Sequence, residues 1–209
     1  MELARQYTDR VCSAPWEGYG LTKQKAALLA NNDWVLSLDA DEEVTAELYA
    51  ALQSWKPGPV ITVYQLHWLN HIGEQPIRYG LWRNDWKNRL FQKHTVNWND
   101  ANVHEDLVST GAVQYQRLQG YLRHYSFTDL HNAQQKHVHL AQLMGQLYAQ
   151  KGKKAGLLKI LLAPVWVFLK GYVLKLGFLD GVTGLHIARI TAQYTYRKYF
   201  VLQELNKRR

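Results

Sequence analysis

The sequence predicts an α/β fold: a sheet core in roughly the first two thirds and a helical region behind it. Three observations carry this. Helix and strand patterns alternate up to Leu69, the order that builds a layered α/β core. The apolar run Trp34 to Leu38 is too short for a helix and is bounded by polar residues, so it reads as a buried strand. From about Asp129 through Tyr148 the texture turns helical. A chain of 209 residues can build one domain with a real core, and 47% hydrophobic with 20% charged residues excludes a disordered chain.

Taken in order, Glu2 to Tyr7 reads as the end of a helix and Arg10 to Ser13 as a short strand. Cys12, the single cysteine, excludes an intramolecular disulfide, fits a reducing compartment and reads as a small buried hydrophobe. Trp16 to Gly20 is a glycine-bearing loop, and Leu21 to Ala30 a helix stopped by Asn31-Asn32. After the strand at Trp34 comes a helix from about Ala46 to Ser54, with Thr45 as N-cap and Glu47 in its first turn. Trp55-Lys56-Pro57-Gly58-Pro59 breaks it. Val60 to Leu69 is β-branched and aromatic, a strand. Further short strands are expected at Asn88 to Phe91, Val113 to Leu118 and Tyr121 to His124. Met1 to Arg5 lacks the basic start and apolar run of a signal peptide.

The chain is organised around Asp39-Ala40-Asp41-Glu42-Glu43 at the end of the Trp34 strand. Four carboxylates in five residues repel one another unless a cation or solvent relieves them. In an extended Asp-x-Asp both side chains project to one face. Two hard oxygens there suit Mg²⁺ or Mn²⁺ holding a diphosphate, while a solvated acidic turn capping the next helix is the competing reading. In open α/β sheets ligands sit beyond the carboxyl ends of the strands, where Asp39 and Asp41 would lie. A second acidic group, His104-Glu105-Asp106, offers a general base or a salt-bridged loop.

The net charge of +8 is unevenly placed, acidic over residues 31 to 50 and basic over the last 60. Such asymmetry attracts a polyanion, either nucleic acid or an anionic membrane surface. Leu157 to Leu179 is the most apolar stretch, interrupted by Lys159, Lys170 and Lys175 and broken by Pro164. Lys159 and Lys170 fall within about 20° of each other on a helix. With Lys151, Lys153 and Lys154 upstream, the pattern predicts a helix pair lying in an anionic membrane interface; a core helix and a spanning helix are the alternatives. Basic residues interleaved with Leu, Val and Phe, without a nucleic-acid module, argue against nucleic acid.

Several segments occur in a telling order: Gly18-Tyr19-Gly20-Leu21-Thr22-Lys23, then Leu38-Asp39-Ala40-Asp41-Glu42, then Asn88-Arg89-Leu90-Phe91. Val103-His104-Glu105, His124-Tyr125-Ser126-Phe127 and Gly177-Phe178-Leu179-Asp180-Gly181 follow. The set resembles the inverting family 2 glycosyltransferases, in particular the bacterial lipopolysaccharide-core glucosyltransferase branch, from Ala4 almost to the C-terminus. The resemblance implies a GT-A fold with a Rossmann-like sheet: residues 1–128 form a partial glycosyltransferase domain and 129–209 a helical, membrane-associating extension. It implies Asp39 and Asp41 as the metal–diphosphate pair with Mg²⁺ or Mn²⁺, and His104 as a further metal ligand. Glu105 becomes the base, with Asp106 second; Lys23 becomes a contact to the nucleotide or diphosphate, and Arg89 either a phosphate contact or a structural ion pair. Trp82, Trp86 and Trp98 become candidates to stack on acceptor sugar.

The implied donor is a nucleotide-sugar such as UDP-glucose and the implied acceptor a lipid-linked oligosaccharide. The implied place is the inner face of the cytoplasmic membrane. Family members begin with a strand, a nucleotide-binding turn and a second strand; this chain starts in what would be the second helix, so a βαβ unit of roughly 30 residues or more is expected to be missing. The competing functional reading is a non-catalytic membrane-binding remnant.

Overall fold

The computed structural model describes residues 1–58, 61–83, 85–100, 105–109 and 111–207. The chain divides into two compact units. The first comprises Met1–Asp39, Leu52–Leu66 and Lys87–Leu118, the second Ala40–Ala51, His67–Trp86 and Gln119–Arg209. Elements in chain order begin with α1 (Glu2–Arg5), α2 (Tyr19–Leu28), β1 (Trp34–Leu36), β2 (Glu42–Val44), α3 (Ala46–Ser54) and β3 (Thr62–Ile72). They continue with β4 (Gln75–Pro76), β5 (Asp85–Gln92), β6 (Val96–Trp98), β7 (Leu107–Ser109) and β8 (Gln114–Phe127). The helices α4 (Leu130–Gln150), α5 (Leu157–Leu169) and α6 (Gly181–Lys207) follow, with a π-helical turn at Lys170–Leu174 and a 3-10 turn at Gly177–Asp180 between the last two. Val60, the expected start of the third strand, lies outside the described residues.

In the first unit the strand order is β1-β5-β3-β8, with a separate β6-β7 hairpin. β1 and β5 run antiparallel, Val35 opposite Phe91. Phe91, Val63, Val96, Trp98 and Leu107 close over Ala27 of α2 to form the core. In the second unit β8 pairs antiparallel with β2, Glu43 opposite Arg123, and β4 pairs with β3. The α/β class is as the sequence predicts. The pairs β1–β5, β2–β8, β3–β4 and β6–β7 run antiparallel. Antiparallel strands need only short turns, whereas parallel ones need a crossover of a dozen or more residues.

Several elements depart from expectation for identifiable reasons. The strands expected at Val113–Leu118 and Tyr121–His124 are one 14-residue strand, because Gly120 at φ +90° carries the chain between them. A Cβ at Gly120 would lie 2.3 Å from the Leu48 amide nitrogen, so this glycine also lets α3 approach. Arg10 to Ser13 forms no strand, and Cys12 is exposed, since its segment runs as irregular chain outside the core. Pro164 does not break its helix. α5 runs through it and continues as a π-helical turn, Lys170–Leu174, the proline removing only its own N–H from the ladder. The Leu157–Leu174 stretch has mean hydropathy 1.8, is long and apolar enough to cross a membrane, and is only 11% buried, unlike the core helix of the alternative reading.

In the second unit α6 packs against both α4 and α5. The Asp180 carboxylate accepts from the backbone N–H groups of Tyr79 (2.9 Å) and Arg78 (3.2 Å), so the Gly177–Gly181 motif anchors the chain after β4.

Candidate functional site

Four of the sequence-selected residues meet in the first unit. α2 carries Lys23 on its inner side, because Gln24 of the same turn donates to the Trp98 carbonyl (3.0 Å) and Ala27 enters the core. The β1–β5 pairing runs on beyond Leu36, Ser37 N–H donating to the Arg89 carbonyl (2.8 Å). This register sets the buried Arg89 beside the strand end, with Nη2 2.8 Å from Asp39 Oδ2. Lys23 Nζ stands 3.0 Å from Asp39 Oδ1 and 2.9 Å from Glu105 Oε1, and 4.9 Å above the Trp98 ring. One ammonium therefore bridges two carboxylates, and a guanidinium closes the far side of the first. Among the described residues two cations stand here against two carboxylates. Trp98 Nε1 is buried beside it with no hydrogen-bond partner among the described residues.

Burial pushes the Asp39 carboxyl up, but the Arg89 and Lys23 charges outweigh it and hold the group below its ordinary value. Glu105 and Lys23 are both mostly shielded, their side chains each 17% exposed, so their ion pair is less screened than a surface one. Asp106 is placed differently. Its Oδ1 accepts from Asn88 Nδ2 (2.9 Å) and from the Leu107 N–H (2.8 Å), bonds that shape the turn into β7. His104 lies outside the described residues, as does Val103 before it.

Asp41 belongs to the second unit, where its half-exposed carboxylate lies 3.5 Å from His124 Nε2. The His124 ring is set by stacking on Trp68 at 3.9 Å, while its Nδ1 bonds Asn70 Oδ1 (2.9 Å) and the Ser126 hydroxyl (2.8 Å). In the sequence His124 stands out only as part of a motif. A carboxylate oxygen with an imidazole suits a divalent cation. Among the described residues no three His, Cys, Asp or Glu groups converge. Mg²⁺, however, is commonly held by one or two carboxylates plus substrate phosphates, so Asp41 fits that donor set.

The tryptophans are engaged in packing. Trp86 stacks on His67 (4.4 Å), Trp82 on His137 (4.5 Å), and Trp98 meets the Phe91 ring edge-on. Trp68 and Trp82 also line a cavity of about 280 Å³ in the second unit, with Asn70, His124, Ser126 and His137. No Lys, Arg, Asp or Glu among the described residues lines it. A cavity of aromatic walls and a few polar groups, among them the imidazoles of His71, His124 and His137, suits a ring with polar substituents such as a sugar.

No established family profile matches the chain. It is similar to an uncharacterized glycosyltransferase of Rickettsia prowazekii (strain Madrid E), 24% identical over 99% of this chain and 74% of that protein. An uncharacterized glycosyltransferase of Rickettsia typhi (strain ATCC VR-144 / Wilmington) is 23% identical with the same coverage. The lipopolysaccharide core biosynthesis glycosyltransferase LpsC of Rhizobium meliloti (strain 1021) is 26% identical over 94% of this chain and 78% of its own length. The chain's relatives are glycosyltransferases. They support a transferase, and thereby a sugar donor and an acceptor in general terms.

Proposed function

We propose that the chain is an inverting, metal-dependent glycosyltransferase of the GT-A, family 2 kind. It moves a hexose, glucose in our reading, from a nucleotide-sugar such as UDP-glucose to a lipopolysaccharide-core or related lipid-linked glycan. The observation that carries this is the cluster of Lys23, Asp39, Arg89 and Glu105, two cations beside two carboxylates in a largely shielded place. The similarity to the lipopolysaccharide core biosynthesis glycosyltransferase of Rhizobium supports the acceptor class.

In this reading Glu105 takes the proton of the acceptor hydroxyl. The acceptor oxygen forms its bond to the sugar's C1 from the face opposite the leaving group, and the bond from C1 to the diphosphate oxygen breaks. Lys23 and Arg89 turn from carboxylates to the departing diphosphate, whose charge they offset. A divalent cation held by Asp41 and the substrate's phosphates would supply further stabilisation of that charge. Residues 1–128 act as the transferase part. The helices of 129–209, with the exposed apolar stretch of α5, hold the protein on the inner face of the cytoplasmic membrane.

Turnover of UDP-glucose with Mg²⁺ on a lipopolysaccharide-core acceptor tests the reading. Glucose transfer is expected, and replacing Asp39→Ala together with Asp41→Ala should remove it. Undiminished transfer by the folded double variant would sink the mechanism; absence of any UDP affinity in a folded, vesicle-bound chain would favour the non-catalytic membrane-binding remnant.

A further inference from the structure

Two acidic residues, Asp180 and Glu204, are all that the 79 residues after Leu130 contain. Both are engaged elsewhere: Asp180 with the backbone at Arg78 and Tyr79, Glu204 with Lys207 at 3.1 Å. Yet three lysines of this region share one group of tyrosines. Lys198 Nζ stands over Tyr199 at 4.8 Å, Tyr194 at 5.0 Å and Tyr148 at 5.5 Å. Lys159 lies over the same Tyr199 ring at 4.9 Å, and Lys153 over the same Tyr148 ring at 4.1 Å. Among the described residues no carboxylate pairs with any of the three. Burial, then the charges of Lys159 and Lys153, hold the Lys198 ammonium below its ordinary value. Aromatic faces relieve part of that repulsion, but an anion relieves more.

We propose that Lys153, Lys159 and Lys198 form a phosphate site for the headgroup of an anionic phospholipid, at the start of α5. Two further features point the same way. α5 opens at Leu157 behind Gly156 with no side chain capping it, so its first N–H groups add positive potential beside Lys159. The helix that carries Lys159 also exposes Leu158, Leu161, Leu162, Val165 and Trp166. A phosphate beside a continuous apolar face is the chemistry of a lipid, and it separates this source from a free phosphate ion. Lys198, half-buried on α6, is the member that distinguishes a built site from a diffuse basic surface.

The site rests on the membrane contact of the proposed function, and the test separates the two. The full chain is floated with vesicles of phosphatidylcholine alone and with added phosphatidylglycerol. Binding is compared for Lys159→Gln with Lys198→Gln, and for Lys151→Gln with Lys154→Gln, a pair of equal charge outside the cluster. The control pair should weaken binding to anionic vesicles about fivefold per lysine, as diffuse charge does. The cluster pair should weaken it about a further tenfold. Melting curves check the fold, and Lys153→Gln with Lys159→Gln, both exposed, replaces the cluster pair if Lys198→Gln does not fold. Equal losses from the two pairs would overturn the site while leaving membrane contact standing. No flotation with either vesicle would overturn both. Release from anionic vesicles by millimolar inorganic phosphate would show a free-ion site and overturn the lipid assignment.

Discussion

Glu105 and Asp39 share one ammonium, that of Lys23, and this sharing governs how each residue of the cluster should respond to substitution. Glu105→Gln removes the proposed base and keeps the shape. It should lower kcat about 10²- to 10⁴-fold while UDP affinity stays within a few-fold, measured by steady-state transfer and by calorimetry. Asp39 makes a second prediction. Its folded pKa lies below the unfolded value of about 3.8, so the unfolded chain binds protons more readily and stability rises with pH across that window. The contribution is fully present above about pH 3.8 and is lost as pH falls through the depressed folded value. Acid unfolding of Asp39→Asn should therefore depend less on pH below 4 than that of the parent. At this scale much is legible in the sequence. Residue type and motif mark Lys23, Asp39, Arg89 and Glu105 one by one, and the fold brings them together. The places of Trp98 under Lys23 and of His124 beside Asp41 are not legible, because both neighbours arise from folding between distant segments.

Elements whose signals are local can be read from the sequence, and those that depend on pairing cannot. α3 spans Ala46–Ser54 as expected, with the Leu48 N–H on Thr45 Oγ1 at 3.4 Å, since capping and helix periodicity lie within one short stretch. β2 hides inside the acidic run Glu42–Val44, where composition gives no strand signal and only pairing with Leu122, Arg123 and His124 makes one. β8 reads as two strands because a glycine in mid-run resembles a turn. Gly120→Ala tests that account: at φ +90° and with a Cβ 2.3 Å from the Leu48 nitrogen, the variant should lose about 3 kcal/mol in denaturant unfolding. A loss below about 1 kcal/mol would mean that the strand and α3 separate easily.

Across the whole chain, charge is sorted by place. Acidic groups gather at the end of β1 and at β2, opposed by Lys23, Arg89 and Arg123, while the last three helices carry lysines with little to oppose them. The proposed transfer to a lipid-linked glycan would use both, a site for a nucleoside diphosphate and a surface for an anionic lipid. Composition alone shows this asymmetry; it does not show that α5 runs unbroken through Pro164 and leaves its apolar face exposed. Calorimetric titration of the chain with UDP and Mg²⁺, repeated for Lys23→Met and Arg89→Met, tests the central claim most directly. UDP should bind the parent, and each folded variant should bind it about tenfold or more weakly. UDP binding that is the same in all three would contradict the assignment of this cluster as the donor site.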